Sequence, residues 1–573
     1  MKARPSARRA AFRGLAPLAF ALAGAAHAQD LTVAVAVGQE ISPGQTILRL
    51  SEQFAVSDDG RWTVLAAVDG VSGPITTDPF NALLSDTGHQ LAGDLLAGGL
   101  FTVSGFLDAD ISGGGTVAAI VAAVDGAGTT SEQLVVDGVP YASTLDSLQP
   151  LGYSNTALVE RFADVKVNDR GSAVVLAIVT DPAFGGTGRT QALLRFDAPS
   201  AGGVVVGERI VDQITLVPGQ STPVEFIGVS TGSGASAPWL NINDLGQVTY
   251  TVRFSAPAGG STTDAVLVDQ DVVLTPSSPA PVAGRAWSTL LWEPVADLSS
   301  SGTLAYKARL DESDTSNNAV LVVDDEIVAR EGESLPAFAP FVIPAFALDF
   351  TGRVAVGDSR LPVWTTDWDD PDPDRGRGLL VGRELVVEQG VSTAGGRVLN
   401  QFYPDQFAAS ESGRYVAARS FLSGGIRDAL VLADASVGSA YCDPAQVNST
   451  GAPARAFASA ASGLGGFDVR ITAGGLPPGA TALLLASPNQ GFVPQPGGSQ
   501  GDLCLGGPIF RLNAQMGPAD GSGATSQGID ADGILGAGLV PIPAGETWNF
   551  QYWYRDSAPG PTSNFSSAVS VAF

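Results

Sequence analysis

A short pattern that recurs seven times limits the folds open to this chain more than any other feature. Seven glycines, Gly60, Gly115, Gly171, Gly246, Gly302, Gly352 and Gly413, each follow a small polar residue by three positions and an apolar residue by four, as in Val56-Ser57 and Ile242-Asn243. Apolar residues return two and four places beyond the glycine, as Val248 and Tyr250 do after Gly246. Period-two alternation on both sides of a glycine able to take positive φ describes a β-hairpin with one face in a core. A second apolar element follows each hairpin, for example Ala192-Leu193-Leu194, Ala319-Val320-Leu321 and Ala429-Leu430-Val431. Most copies then add a polar turn and another strand, and four strands are the content of one propeller blade.

The ends of the repeat region indicate how such units close. The seventh unit stops after Val431-Leu432 without a fourth strand, while an orphan strand stands near the N-terminus at Val33-Ala34-Val35-Ala36-Val37. Pairing the two leaves no free edge, which removes a template for aggregation. The expected fold class is all-β. A seven-bladed β-propeller over residues 29–438, closed by the N-terminal strand, precedes a C-terminal β-sandwich over residues 439–573.

Residues 1–28 read as a secretory signal peptide. Lys2, Arg4, Arg8, Arg9 and Arg13 form a basic segment before an apolar run from Leu15 to Ala26, and Ala26-His27-Ala28 supplies small residues for cleavage before Gln29. The apolar run is too short to cross a bilayer, so the expectation is export to the periplasm, cell surface or medium with no transmembrane segment. The chain carries 31 basic against 58 acidic residues, and loss of the leader removes five of the bases. A field of that sign repels nucleic acid. The partner expected instead is an extracellular protein or a glycan.

The only two cysteines, Cys442 and Cys504, are expected to pair in an oxidising compartment. Loop closure makes such a disulfide worth about 4 kcal/mol. His89 is the sole histidine beyond the leader, in the hairpin-turn sequence Asp86-Thr87-Gly88-His89. A Ser-His-Asp triad would have to use it, and a site built from several histidines is impossible.

From about Tyr441 the repeat gives way to short strands between Gly/Pro turns, such as Leu476-Pro477-Pro478-Gly479. Trp548 to Arg555 alternates aromatic with mostly polar residues, with Trp553 on the face opposite Trp548, Tyr552 and Tyr554. Tyr441-Cys442-Asp443-Pro444, Asn489-Gln490-Gly491-Phe492, Gly501 to Gly507 and Gly545 to Asp556 carry a family likeness. Through them the module resembles a recurrent C-terminal domain of large secreted bacterial proteins. The upstream units are similar to the Asn-Asp-x-Gly propeller repeats found with such modules. Neither resemblance implies catalytic residues.

Without histidine, the remaining catalytic groups are carboxylates, and paired acids in a propeller channel would suit glycoside hydrolysis. Asp367, Asp369, Asp370, Asp372 and Asp374 form the densest acidic stretch, a candidate calcium site because a hard cation takes several oxygens. Asp530-Ala531-Asp532-Gly533 is a lesser one, and no other cofactor is expected. Taken together, the repeat architecture and the missing nucleophile–base chemistry lead to the expectation of a non-catalytic exported binding or scaffolding protein. The alternatives are an extracellular carbohydrate-active hydrolase using Asp/Glu in the propeller channel and a structural cell-envelope protein.

Overall fold

The repeat hairpins assemble because their strands are apolar on both faces and no single sheet can bury both. A computed structural model describes residues 30–573 apart from 72–79, 97–98, 183–187, 200–204, 214, 228–239, 256–261, 291–295, 315, 351–352, 463, 465–466, 531–533, 536–538 and 558–559. The expected signal peptide lies outside the described residues, as do residues 531–533 and Gly352. The architecture is all-β. Among the described residues only the four-residue helix Ala347–Phe350 and short 3-10 turns interrupt the strands. No helix among them is long and apolar enough to cross a membrane.

Up to residue 434 the strands form sheets in the manner of a β-propeller, antiparallel except where Asp30 and Leu31 pair parallel with Thr393 and Ala394. The first sheet is built around Gln45–Val56 and Trp62–Val68, the second around Phe101–Ile111 and Val117–Asp125, and the third around Leu158–Val167 and Ala173–Thr180. The fourth uses Leu240–Ile242 and Val248–Phe254, the fifth Ala296–Leu298 and Leu304–Leu310, and the sixth Val354–Val356 and Pro362–Asp367. The seventh combines Arg397–Ala409, Tyr415–Leu422 and Ile426–Asp434 with the N-terminal strand Asp30–Ala36. That strand runs antiparallel to Ile426–Asp434, with Thr32 opposite Leu432 and Ala36 opposite Ala429. The second apolar elements of the repeats, such as Arg189–Phe196 and Ala319–Val323, are the third strands of their sheets.

Apolar layers join each sheet to the next. Val175 and Ala177 of the third sheet pack with Ile120 and Leu134 of the second, whereas Val174 and Leu176 on the opposite face pack with Val248 and Tyr250 of the fourth. The series returns to its start where Ala417 and Leu430 of the seventh sheet, with Val35, meet Val56 and Val64 of the first. Both faces of these sheets are therefore buried, not one as the alternation suggested. Each such aliphatic side chain removed from water contributes about 1.5–3 kcal/mol.

Beyond residue 438, two further sheets share one core. Thr481–Ser487, Thr547–Asp556 and Thr562–Ala572 supply Leu484, Phe550, Tyr552 and Val569, while Arg455–Ala460, Val469–Gly474 and Thr525–Ile529 supply Ala458, Ile471 and Ile529. The Cys442–Cys504 disulfide is formed, with Cα atoms 6.5 Å apart. Trp548, Tyr552 and Tyr554 are buried. Trp553 faces the other way and is half-buried against Leu483, Leu505 and Phe565.

Candidate functional site: the channel carboxylates

The first-named strand of each sheet is its innermost, and together these strands line a cavity of about 120 Å³ on the axis of the ring. Side chains two residues apart on a strand share a face, so the lining falls into layers. The residues two places before each turn form one layer: Ala55, Asp110, Lys166, Asn241, Asp297, Ala355 and Ala408. Two residues further from the turns stand Asp108, Asp164, Arg353 and Gln406.

An innermost strand has one edge without a ladder partner, and its N–H groups need acceptors. Acids of the neighbouring strand provide them. The Asp108 carboxyl accepts from the Val165 N–H (2.8 Å), Asp110 from Val167 (2.9 Å) and Asp297 from Val356 (2.8 Å). Asp110 also receives the Lys166 ammonium at 3.2 Å. All three acids thus hold adjoining sheets in register, and Asp110 and Asp297 also line the cavity.

Asp108 and Asp164 are hydrogen-bonded to each other. Burial, followed by repulsion from Asp164, pushes Asp108 well above the usual carboxylate range. Burial raises Asp164 too, but the attraction of Lys166, the hydrogen bond from Asp108 and the charge of Arg353 oppose it. Both carboxyls are thus raised, Asp108 the further of the two. Burial pulls Lys166 down, yet Asp110, Asp164 and Asp108 together hold it above its ordinary value.

A second acidic layer lies in the turns themselves. The residue after each repeat's small polar residue is Asp58, Gly113, Asp169, Asp244, Ser300 and Glu411 in the first to fifth and seventh sheets, and Asp358 holds the matching place in the sixth. The turn glycines Gly60, Gly115, Gly171, Gly246, Gly302 and Gly413 all take positive φ. The sixth turn departs from the expected frame. It runs from Gly357 to Arg360 after the innermost strand Val354–Val356, and Arg360 itself adopts φ +59°.

Neighbouring turns are tied in sequence. The Asp58 N–H donates to the Gly113 carbonyl (2.9 Å), Asp169 N–H to Asp244 Oδ1 (2.8 Å), Asp244 N–H to Ser300 Oγ (2.8 Å), Asp358 N–H to the Glu411 carbonyl (2.8 Å) and Ser412 N–H back to Asp58 Oδ1 (2.6 Å). The Ser300 hydroxyl skips the sixth sheet and donates to Glu411 Oε1. Burial and the charge of Asp169 push Asp244 up to about 7. Burial, then the neighbouring acids, hold Asp358 and Glu411 well above the usual range.

The C-terminal module reaches this layer. Arg170 donates to the Gly521 carbonyl at 3.0 Å, and the Ser522 hydroxyl lies 3.5 Å from Asp358 Oδ2.

The acidic stretch singled out in the sequence lies elsewhere and is spent locally. Asp367 pairs with Arg377 at 2.7 Å, Asp369 accepts the Val342 N–H, Asp370 accepts the Asp372 N–H and Asp372 accepts the Asp374 N–H. Asp369, Asp372 and Asp374 are exposed. Among the described residues the one place where three acidic side chains converge with metal-ligand spacing is Asp169, Asp244 and Glu411, which sequence reasoning missed. His89 is exposed on the strand Gly88–Leu91.

No protein-family model and no curated protein matches the chain. Among solved structures it is similar to the Dos1 propeller, at 10% identity over 70% of this chain and 95% of that one, with a TM-score of 0.29. It is likewise similar to Trypanosoma rangeli sialidase, at 10% identity over 93% of each chain with a TM-score of 0.28. An exo-beta-1,3-galactanase from Phanerochaete chrysosporium is similar at 10% identity over 95% of this chain and 100% of that one, with a TM-score of 0.22. These similarities run counter to the expectation of a non-catalytic exported binding or scaffolding protein, which is not carried further.

Proposed function

We propose that this chain is an exported carbohydrate-active hydrolase that works with Asp and Glu carboxyls in the channel of a seven-bladed propeller. On this reading residues 1–28 are a cleaved signal peptide, residues 29–438 the propeller and residues 439–573 an accessory β-sandwich of the kind carried by secreted bacterial repeat proteins. The partner is a glycan met outside the cytoplasm.

The supporting observation is the Asp108–Asp164 pair. Glycoside hydrolysis needs one carboxyl that keeps a proton for the leaving oxygen and a second that stays charged. Burial pushes Asp108 well above the usual range, and burial raises Asp164 against the opposing pull of Lys166, the Asp108 hydrogen bond and Arg353. The two carboxyls are within hydrogen-bonding reach, closer than the roughly 5–10 Å of working pairs. A glycosidic oxygen must therefore enter between them and part them.

The test is release of reducing ends by the full-length secreted chain from a panel of glycosides and polysaccharides, sialosides and β-1,3-linked galactans included. The expected result is turnover that drops about 100-fold or more in Asp164→Asn and in Asp108→Asn. A wild-type chain that releases nothing from any substrate rejects the reading.

A further inference from the structure

Asp169, Asp244 and Glu411 form a cluster that the Asp108–Asp164 chemistry does not use. One carboxylate oxygen of each lies within 4.8 Å of those of the other two. They come from the third, fourth and seventh sheets, and each is oriented by a neighbouring turn. Asp169 accepts the Gly114 N–H, Asp244 the Asp169 N–H and Glu411 the Ser300 hydroxyl.

A second observation comes from the sixth sheet. Asp358 is 5% exposed, and its Oδ1 has no hydrogen-bond partner. The charges that act on it are those of Asp520, Asp58, Asp244 and Asp169, and those acting on Glu411 are Asp244, Asp358 and Asp169. A bare carboxylate oxygen buried among acids costs several times what a satisfied one does unless positive charge meets it.

We infer that Asp169, Asp244 and Glu411 are the ligands of a hard divalent cation, calcium, which ties the turns of the third, fourth and seventh sheets together across the axis, with Asp358 of the sixth buried close by. An all-oxygen donor set excludes soft-metal preference. Calcium accepts six to eight oxygens at about 2.4 Å in irregular geometry, as side chains from separate sheets would supply. The site is independent of the hydrolase reading and stands or falls without it.

The experiment uses the full-length chain, stripped with chelator and desalted. Equilibrium dialysis against calcium alone should show about one tightly held ion per chain, and calcium should raise the melting temperature where sodium at equal ionic strength does not. The variant Asp244→Asn/Glu411→Gln should lose at least tenfold in calcium affinity. In chelator it should melt above wild type, because like charges have been removed, and in calcium below it. The control Asp370→Asn/Asp372→Asn should bind as wild type does. Should the double variant fail to fold, Asp169→Asn carries the same expectation. Three outcomes overturn the inference: a wild-type chain that holds no calcium, undiminished binding in the channel variants, or loss of binding in the 370/372 control.

Discussion

The Asp169 backbone N–H donates to Asp244 Oδ1 at 2.8 Å, and the two side chains also repel each other within one acidic layer. The hydrogen bond joins the third and fourth sheets and by itself lowers the proton affinity of Asp244, but burial and the Asp169 charge outweigh it.

Stability should fall as the layer ionises. Asp244 titrates near 7 in the folded chain against an ordinary value of 3.8, so between those two values the folded state binds more protons than the unfolded one. Linkage then makes stability decrease as pH rises through that window. In chelator the melting temperature should decline from pH 4 towards pH 8, and Asp244→Asn should flatten the slope. A profile that rises over the window contradicts the assignment.

Removing an inner-edge acceptor should loosen two sheets at once. Asp297→Ala leaves the buried Val356 N–H and the Asn241 amide short of a partner. The expected loss is about 1–3 kcal/mol in denaturant unfolding, with Asp297→Asn costing less because its amide oxygen still accepts.

The N-terminal strand should be needed for the soluble state. Val35 is 2% exposed between the seventh and first sheets, and Asp30–Ala36 covers the edge of Ile426–Asp434. Deleting residues 30–37 uncovers that edge, and light scattering with size-exclusion chromatography should record association. Val35→Asp should do the same by placing a charge in the apolar layer.

Reduction should weaken the C-terminal module first. The Cys442–Cys504 bond closes a segment of 62 residues, for which loop-closure entropy gives about 4 kcal/mol. A Cys442→Ser/Cys504→Ser chain should show a lowered transition for that module, read from its tryptophan fluorescence at Trp548 and Trp553.

Strand pairing was legible in the residues because hairpins are local, and six turn glycines stand where the spacing placed them. At the sixth, the spacing puts Val354 and Val356 on a strand leaving a turn at Gly352. They belong to the strand entering the turn at Gly357–Arg360, where an arginine holds the positive φ that a glycine usually takes. The acidic layer escaped notice for a different reason. Asp169, Asp244 and Glu411 are far apart in sequence, and only circular packing makes them neighbours. Asp367 to Asp374 stands out in the sequence because its carboxylates are adjacent there; in the structure Asp367 pairs with Arg377, and Asp370 and Asp372 accept turn N–H groups.

The Gly521–Ser522 loop rests on the turn layer at Arg170 and Asp358. The C-terminal module is thereby braced on the same turns that carry the acidic layer, so a change in either is transmitted to the other.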